Sequence, residues 1–142
     1  MKDSLKPGLT FEFQYKVPEN KTVPNLYPEF PEGQVMPDVF ASGFMIGLFE
    51  FACIKAIKPH LDWPDEQSVG IGFQLNHTAA TPPGFTVTVR VSLRAVEGKK
   101  LTFDIEADDG VDPISKGSHE RFVIHAAKFK GAVAEKLKKH LS

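Results

Sequence analysis

A single cysteine, Cys53, stands among the 142 residues, so no internal disulfide can staple the fold. Charge of neither sign dominates: 17 lysines and arginines against 18 aspartates and glutamates give a formal net charge of -1. Acidic and basic residues are interspersed along most of the chain, which supplies no electrostatic footprint for nucleic acid. The longest apolar run, residues 44–54, is broken by Glu50 and followed by Lys55, Lys58 and Asp62. It falls well short of the roughly 20 residues that cross a bilayer, so no membrane segment is expected. The stretch Met1 to Pro7 lacks the apolar centre of a secretory signal. Together with the lone, apolar-flanked thiol, that points to a reducing cytoplasm. The five histidines show no metal-ligand spacing, so no metal site is expected.

What is present suits one globular domain over residues 1–142, 42% hydrophobic and 25% charged. Phe11, Phe13 and Tyr15 alternate with Glu12, Gln14 and Lys16, which predicts a first strand from about Leu9 to Val17 with an aromatic buried face. Pro18, Pro24, Pro28, Pro31 and Pro37 then recur without periodicity, so residues 18–40 are expected as an ordered loop or lid with one short helical turn. The apolar run follows as a helix over about residues 43–61. It is apolar on nearly every side, as a central helix would be rather than a surface one. From Val69 onward the period becomes two, in segments around Val69–Asn76, Phe85–Leu93, Leu101–Asp108 and His119–Ala126. A lysine-rich tail, about residues 129–142, predicts a terminal helix with cations near its negative end.

Short turns between the later strands imply an antiparallel sheet. A sheet with one apolar face and a helix apolar all round are both buried when the sheet curls about the helix, an α+β hot-dog fold. Its open strand edges and incompletely wrapped helix lead us to expect a homodimer.

Chemistry concentrates at three positions. Glu50 is the only charge within the apolar run, and an unpaired ionised carboxylate buried there would cost more than a domain's net stability. It must be paired, hydrogen-bonded or protonated, each of which makes it a poised acid or base. Ser42 lies where the lid becomes the helix, and His77 where a strand runs into the proline-rich segment Thr78 to Gly84. Hydroxyl, carboxylate and imidazole are the parts acyl transfer needs. On one continuous helix, Ser42 and Glu50 would lie about 12 Å apart along the axis, so substrate, water, a folded-back start or a second protomer must join them. Plainer readings are open for each: Ser42 as an N-cap, Glu50 as a structural partner of His77 or Arg121, and His77 as the partner of a backbone carbonyl at a strand end; Arg121 in turn reads as a solvated strand residue. Gly70 and Gly72 are either a sheet irregularity or room for a ligand.

Several stretches together resemble the fluoroacetyl-CoA thioesterase-like branch of the hot-dog superfamily. They are Lys21-Thr22-Val23 with Leu26-Tyr27-Pro28-Glu29, then Phe40 to Met45 continuing to Glu50 and Ala52-Cys53, His77-Thr78-Ala79-Ala80-Thr81-Pro82-Pro83-Gly84, and His119-Glu120-Arg121. The resemblance implies a homodimeric thioester hydrolase, without metal or redox cofactor, that cleaves a short-chain acyl-CoA, halogenated or not. It implies Ser42, Glu50 and His77 as the catalytic set, with Glu50 as nucleophile or general base, and Gly70 and Arg121 as substrate contacts. The family's fluoroacetyl-specific enzyme has threonine where this chain has Ser42, and the lid from Phe30 to Met36 diverges most, which leaves acyl specificity open. A non-catalytic acyl-CoA binding module, or a hot-dog hydratase or dehydratase, would use similar parts. An acyl carrier protein as donor would dock on the basic tail.

Overall fold

The computed structural model describes all 142 residues. Strand β1 (Thr10–Lys16) leads through a 3-10 turn (Glu19–Lys21) and two one-turn helices, α1 (Val23–Leu26) and α2 (Pro31–Gln34), to the long helix α3 (Ser42–Ile57). Strands β2 (Glu66–Leu75), β3 (Thr86–Glu97), β4 (Lys100–Asp108) and β5 (Pro113–His125) follow, and helix α4 (Ala126–Leu141) ends the chain. All five strands form one antiparallel sheet in the order β1-β3-β4-β5-β2. The lid and α3 therefore carry the chain from one sheet edge to the other, which lays α3 across the sheet's inner face.

The buried positions of α3 are Met45, Leu48, Phe49, Ala52, Cys53, Ala56 and Ile57, a three-and-four spacing that makes one stripe. It meets Val87, Val89, Val91 and Leu93 of β3 and Leu101, Phe103, Ile105 and Ala107 of β4, the alternate residues of each strand, in a single core of 21 buried residues. Cys53 lies in that core, and burial pushes its thiol up to about 12.

The helix is incompletely wrapped, as expected: Phe51 is 60% exposed and the Glu50 side chain 34% exposed, both off the buried stripe. Two expectations are corrected. The lid holds the 3-10 turn and two helical turns, not one, because prolines at the first turns of α1 and α2 start short helices that have no length to continue. Helix α3 begins at Ser42 and gives way at Ile57 to a 3-10 turn over Lys58–His60, where Pro59 cannot extend the α ladder.

Candidate active site

Backbone bonds from three directions decide where Ser42 points. A bridge pairs Thr22 with Phe40, and the Ala41 N–H donates to the Lys21 carbonyl, closing the base of the lid. Phe40 N–H donates to the Thr81 carbonyl at 2.8 Å, tying the same segment to the proline-rich loop after β2. That loop is anchored from beyond: the buried Thr81 hydroxyl donates to Asp109 Oδ2 at 2.8 Å, and Thr78 N–H donates to the Ile114 carbonyl. Asp109 Oδ1 in turn accepts the N–H groups of Val111 and Asp112. Between these fixed walls Ser42 Oγ meets His77 Nδ1 at 2.7 Å.

Ser42 is therefore not an N-cap. Its bridge-bonded neighbour Ala41 holds the extended cap conformation, without a side-chain cap, and Ser42 becomes the first helical residue. The first N–H groups of such a helix have no intrahelical partner, and they open beside this hydroxyl. His77 Nε2 is buried without a hydrogen-bond partner. Burial pulls the imidazole below the ordinary histidine value, partly opposed by the Ala79 backbone. In its Nε2–H form the neutral ring accepts the Ser42 hydroxyl hydrogen at Nδ1, and in its Nδ1–H form it donates to Ser42 Oγ.

Two helical turns further in, a second cluster forms. Glu50 faces Arg121, not His77: Arg121 Nη1 donates to Glu50 Oε2 at 3.0 Å. Arg121 is 2% exposed, which rules out a solvated strand residue. A buried guanidinium needs its donors met. Ser68 meets two of them, Oγ accepting from Nε at 2.8 Å and the carbonyl from Nη2 at 2.9 Å. A second Nη1 contact runs to His119 Nε2 at 3.0 Å. His119 is a site residue that sequence reasoning passed over; its signal was its place two residues before Arg121, hence on the same face of β5.

Gly70 explains how the carboxylate comes so close to β2. A Cβ there would lie 2.8 Å from Glu50 Oε2 and 3.2 Å from His119 Cε1. The register of β2 against β5 shifts between Gly70 and Gly72. Both readings of the glycine pair thus hold in part: the strand is irregular, and the space left by the missing side chain is filled by Glu50.

Ser42 and Glu50 share continuous helix α3, so the two clusters do not touch within one protomer. A concavity of about 720 Å³ lies elsewhere, on the outer face of the sheet among Glu12, Arg90, Arg94, Asp104, Glu106 and Lys116. Its mixed charges hold none of the site residues. No cluster of histidine, cysteine or carboxylate side chains offers a metal site.

The family model described as fluoroacetyl-CoA-specific thioesterase matches residues 17–127. The chain belongs to that family. A fluoroacetyl-CoA thioesterase of Streptantibioticus cattleyicolor is 52% identical over 136 residues, covering 96% of this chain and 97% of the relative. A solved structure of a fluoroacetyl-CoA thioesterase superposes with a TM-score of 0.91 at 51% identity, covering 94% of this chain and 98% of that one. A thioesterase superfamily member from Thermus thermophilus superposes at 0.82 with 26% identity, covering 99% and 98%. This chain is a thioester hydrolase with the hot-dog fold. That membership sets aside the hydratase, dehydratase and non-catalytic readings. No helix is long and apolar enough to cross a membrane.

Proposed function

We propose that this thioesterase hydrolyses a short-chain acyl-CoA to the free acid and CoA, with Glu50 as nucleophile or general base. The observation that carries this is the grip of Arg121 on one oxygen of a carboxylate set in an apolar helix. Arg121 holds Oε2 and leaves Oε1 to act. In the general-base form, Oε1 takes a proton from water, the oxygen attacks the thioester carbon, and the C–S bond breaks to release the thiolate, which recovers the proton. In the nucleophilic form, Oε1 itself bonds to that carbon and the C–S bond breaks to release the thiolate; water then cleaves the anhydride to the free acid and the Glu50 carboxyl, whose proton passes to the thiolate. The free N–H groups at the start of α3 stabilise the oxyanion, and Ser42 orients the carbonyl. Depressed by burial, His77 assists the departing thiolate as a neutral dipole and not as a standing imidazolium. Gly70, exposed beside Glu50, completes the substrate wall, whereas the buried Arg121, its donors taken by Glu50, Ser68 and His119, acts through Glu50 and not as the substrate contact expected of it.

The active unit in this reading is a homodimer. Strand β2 is a sheet edge, and its own Phe73 is 44% exposed, close with Glu50 to Gly70, while Phe51 is exposed on α3. A second protomer paired along β2 covers that strip and offers the second wall between the Ser42–His77 pair and Glu50. The buried, unreactive thiol of Cys53 suits a cytoplasmic setting.

A solved fluoroacetyl-CoA thioesterase with serine in place of a threonine is described in complex with acetyl-CoA. That favours acetyl-sized groups as first substrates to try here. The test is release of free CoA from a panel of short acyl-CoAs by wild type, Glu50→Gln and His77→Ala. Losses of about 100-fold or more in kcat are expected for both. Wild-type rates in both would end the catalytic assignment. The same acyl group presented on an acyl carrier protein identifies the donor.

A further inference from the structure

We propose that His119 is a positioning residue for hydrolysis: its neutral imidazole sets the guanidinium of Arg121 and, through it, the carboxylate of Glu50. The inference rests on the catalytic role proposed for Glu50.

His119 is completely buried. Its Nδ1 lies 2.8 Å from the Gly72 carbonyl oxygen, which can only accept, so Nδ1 carries a hydrogen. Its Nε2 lies 3.0 Å from Arg121 Nη1, which can only donate, so Nε2 presents a bare lone pair. The two contacts together admit a single form of the ring, neutral and protonated at Nδ1. An imidazolium would set one N–H against another. Phe73 clamps the ring face, with centroids 4.3 Å apart and planes 16° from parallel.

Both Nη1 hydrogens are then assigned, one to His119 and one to Glu50. Ser68 holds the opposite edge of the guanidinium, through Nε and Nη2. Without an acceptor at His119, the edge that meets Glu50 has only the carboxylate to locate it. Facing His119 are Arg121 and Glu120 from β5, Glu50 from α3, and the Gly72 carbonyl and Phe73 ring from β2. Burial, with help from the Arg121 charge, pulls His119 below the ordinary histidine value against the Gly72 carbonyl and the two glutamates. The productive form therefore survives at neutral pH and is lost only on acidification.

The test assays full-length protein against acetyl-CoA across the acid range, using His119→Phe, His119→Gln and Glu50→Gln. Phenylalanine keeps the stack on Phe73 and removes the acceptor; glutamine keeps an acceptor and cannot titrate. Expected for His119→Phe is a fall in kcat of about 10- to 100-fold with KM nearly unchanged, as for a misplaced reacting group. His119→Gln should recover most of kcat and flatten the acid limb of its pH profile, although it loses the stack and melts no higher than His119→Phe. Equal activity in the two variants, activity that follows melting temperature, or an unchanged acid limb in His119→Gln would overturn the proposal. An inactive Glu50→Gln beside a fully active His119→Phe sinks this inference alone, whereas a fully active Glu50→Gln sinks the functional reading beneath it. If His119→Phe does not fold, imidazole 15N spectra of the wild type decide: the Nδ1–H neutral form at pH 7 is expected, and either the Nε2–H form or the imidazolium refutes it.

Discussion

The two ends of the site are built by opposite means. At the start of α3, Ser42 and His77 form a neutral pair joined by one hydrogen bond, and their alignment comes from loops pinned to each other through Thr22, Phe40, Thr81 and Asp109. Two turns deeper, Glu50 and Arg121 form a charged pair held by side chains on the paired strands β2 and β5, with Ser68, His119 and Gly70 packed around them. A neutral pair costs little to desolvate and can be carried on loops. A buried guanidinium must have its donors met, and a rigid sheet does that.

The largest effect should come from Arg121→Met. It leaves the Glu50 carboxylate without its cation and removes the donors to Ser68 and His119. Loss of one partner of a buried ionic network costs about 3 kcal/mol, at the low end of the usual range because Glu50 is partly open to water. Chemical denaturation should show that loss, and kcat should fall about 100-fold or more. A variant as stable and active as wild type would erase the contrast between the two clusters.

Next is Gly70→Ala, whose added methyl must displace Glu50 Oε2 or bend β2. We expect kcat to drop about 10-fold with a stability loss of about 1–2 kcal/mol. An unchanged rate would mean that the carboxylate does not need its present place.

The loop-built pair is probed by Asp109→Asn. Burial pulls the Asp109 carboxyl up, but the N–H groups of Asp112 and Val111 and the Thr81 hydroxyl outweigh it and hold it below the ordinary aspartate value. With the folded value below the unfolded one, this stabilisation is complete above the ordinary range and lost as pH falls through the folded value. Asp109→Asn should therefore cost about 1.5 kcal/mol at pH 7, and its urea midpoint should converge with that of wild type as the pH falls below about 3.9. A constant gap at all pH values would deny Asp109 that role.

The smallest effect is expected for Ser42→Thr, which keeps the hydroxyl and restricts its rotamer. Its kcat on acetyl-CoA should stay within about threefold of wild type, and a larger loss would show the Ser42–His77 contact to be less tolerant than a one-bond pair should be.

Glu50 was legible because a lone charge in an apolar run has so few physical outcomes. The strand pattern likewise showed the order of elements and the antiparallel sheet. What stayed hidden was decided by long-range pairing. On β5, Phe122 and Ile124 compete with His119, Arg121 and Val123 for the inner face, and alternation alone does not choose between them. The chosen face is the polar one because Glu50 and Ser68 meet the guanidinium there. The start of α3 was misplaced by one residue because the Lys21–Ala41 bond, which carries extended backbone up to Ala41, joins segments 20 residues apart. That single residue separates a capping serine from one free to face His77. Four-residue helices such as α1 and α2 are too short to leave a periodic trace.

The bridge between Thr22 and Phe40 makes the intervening segment a closed excursion with both feet on the scaffold. The exposed side chains at its tip, Phe30, Val35 and Met36, take no part in the bonds that fix the hydroxyl just past its second foot. The tip can thus vary in sequence while the two strand-like feet keep the start of α3 anchored.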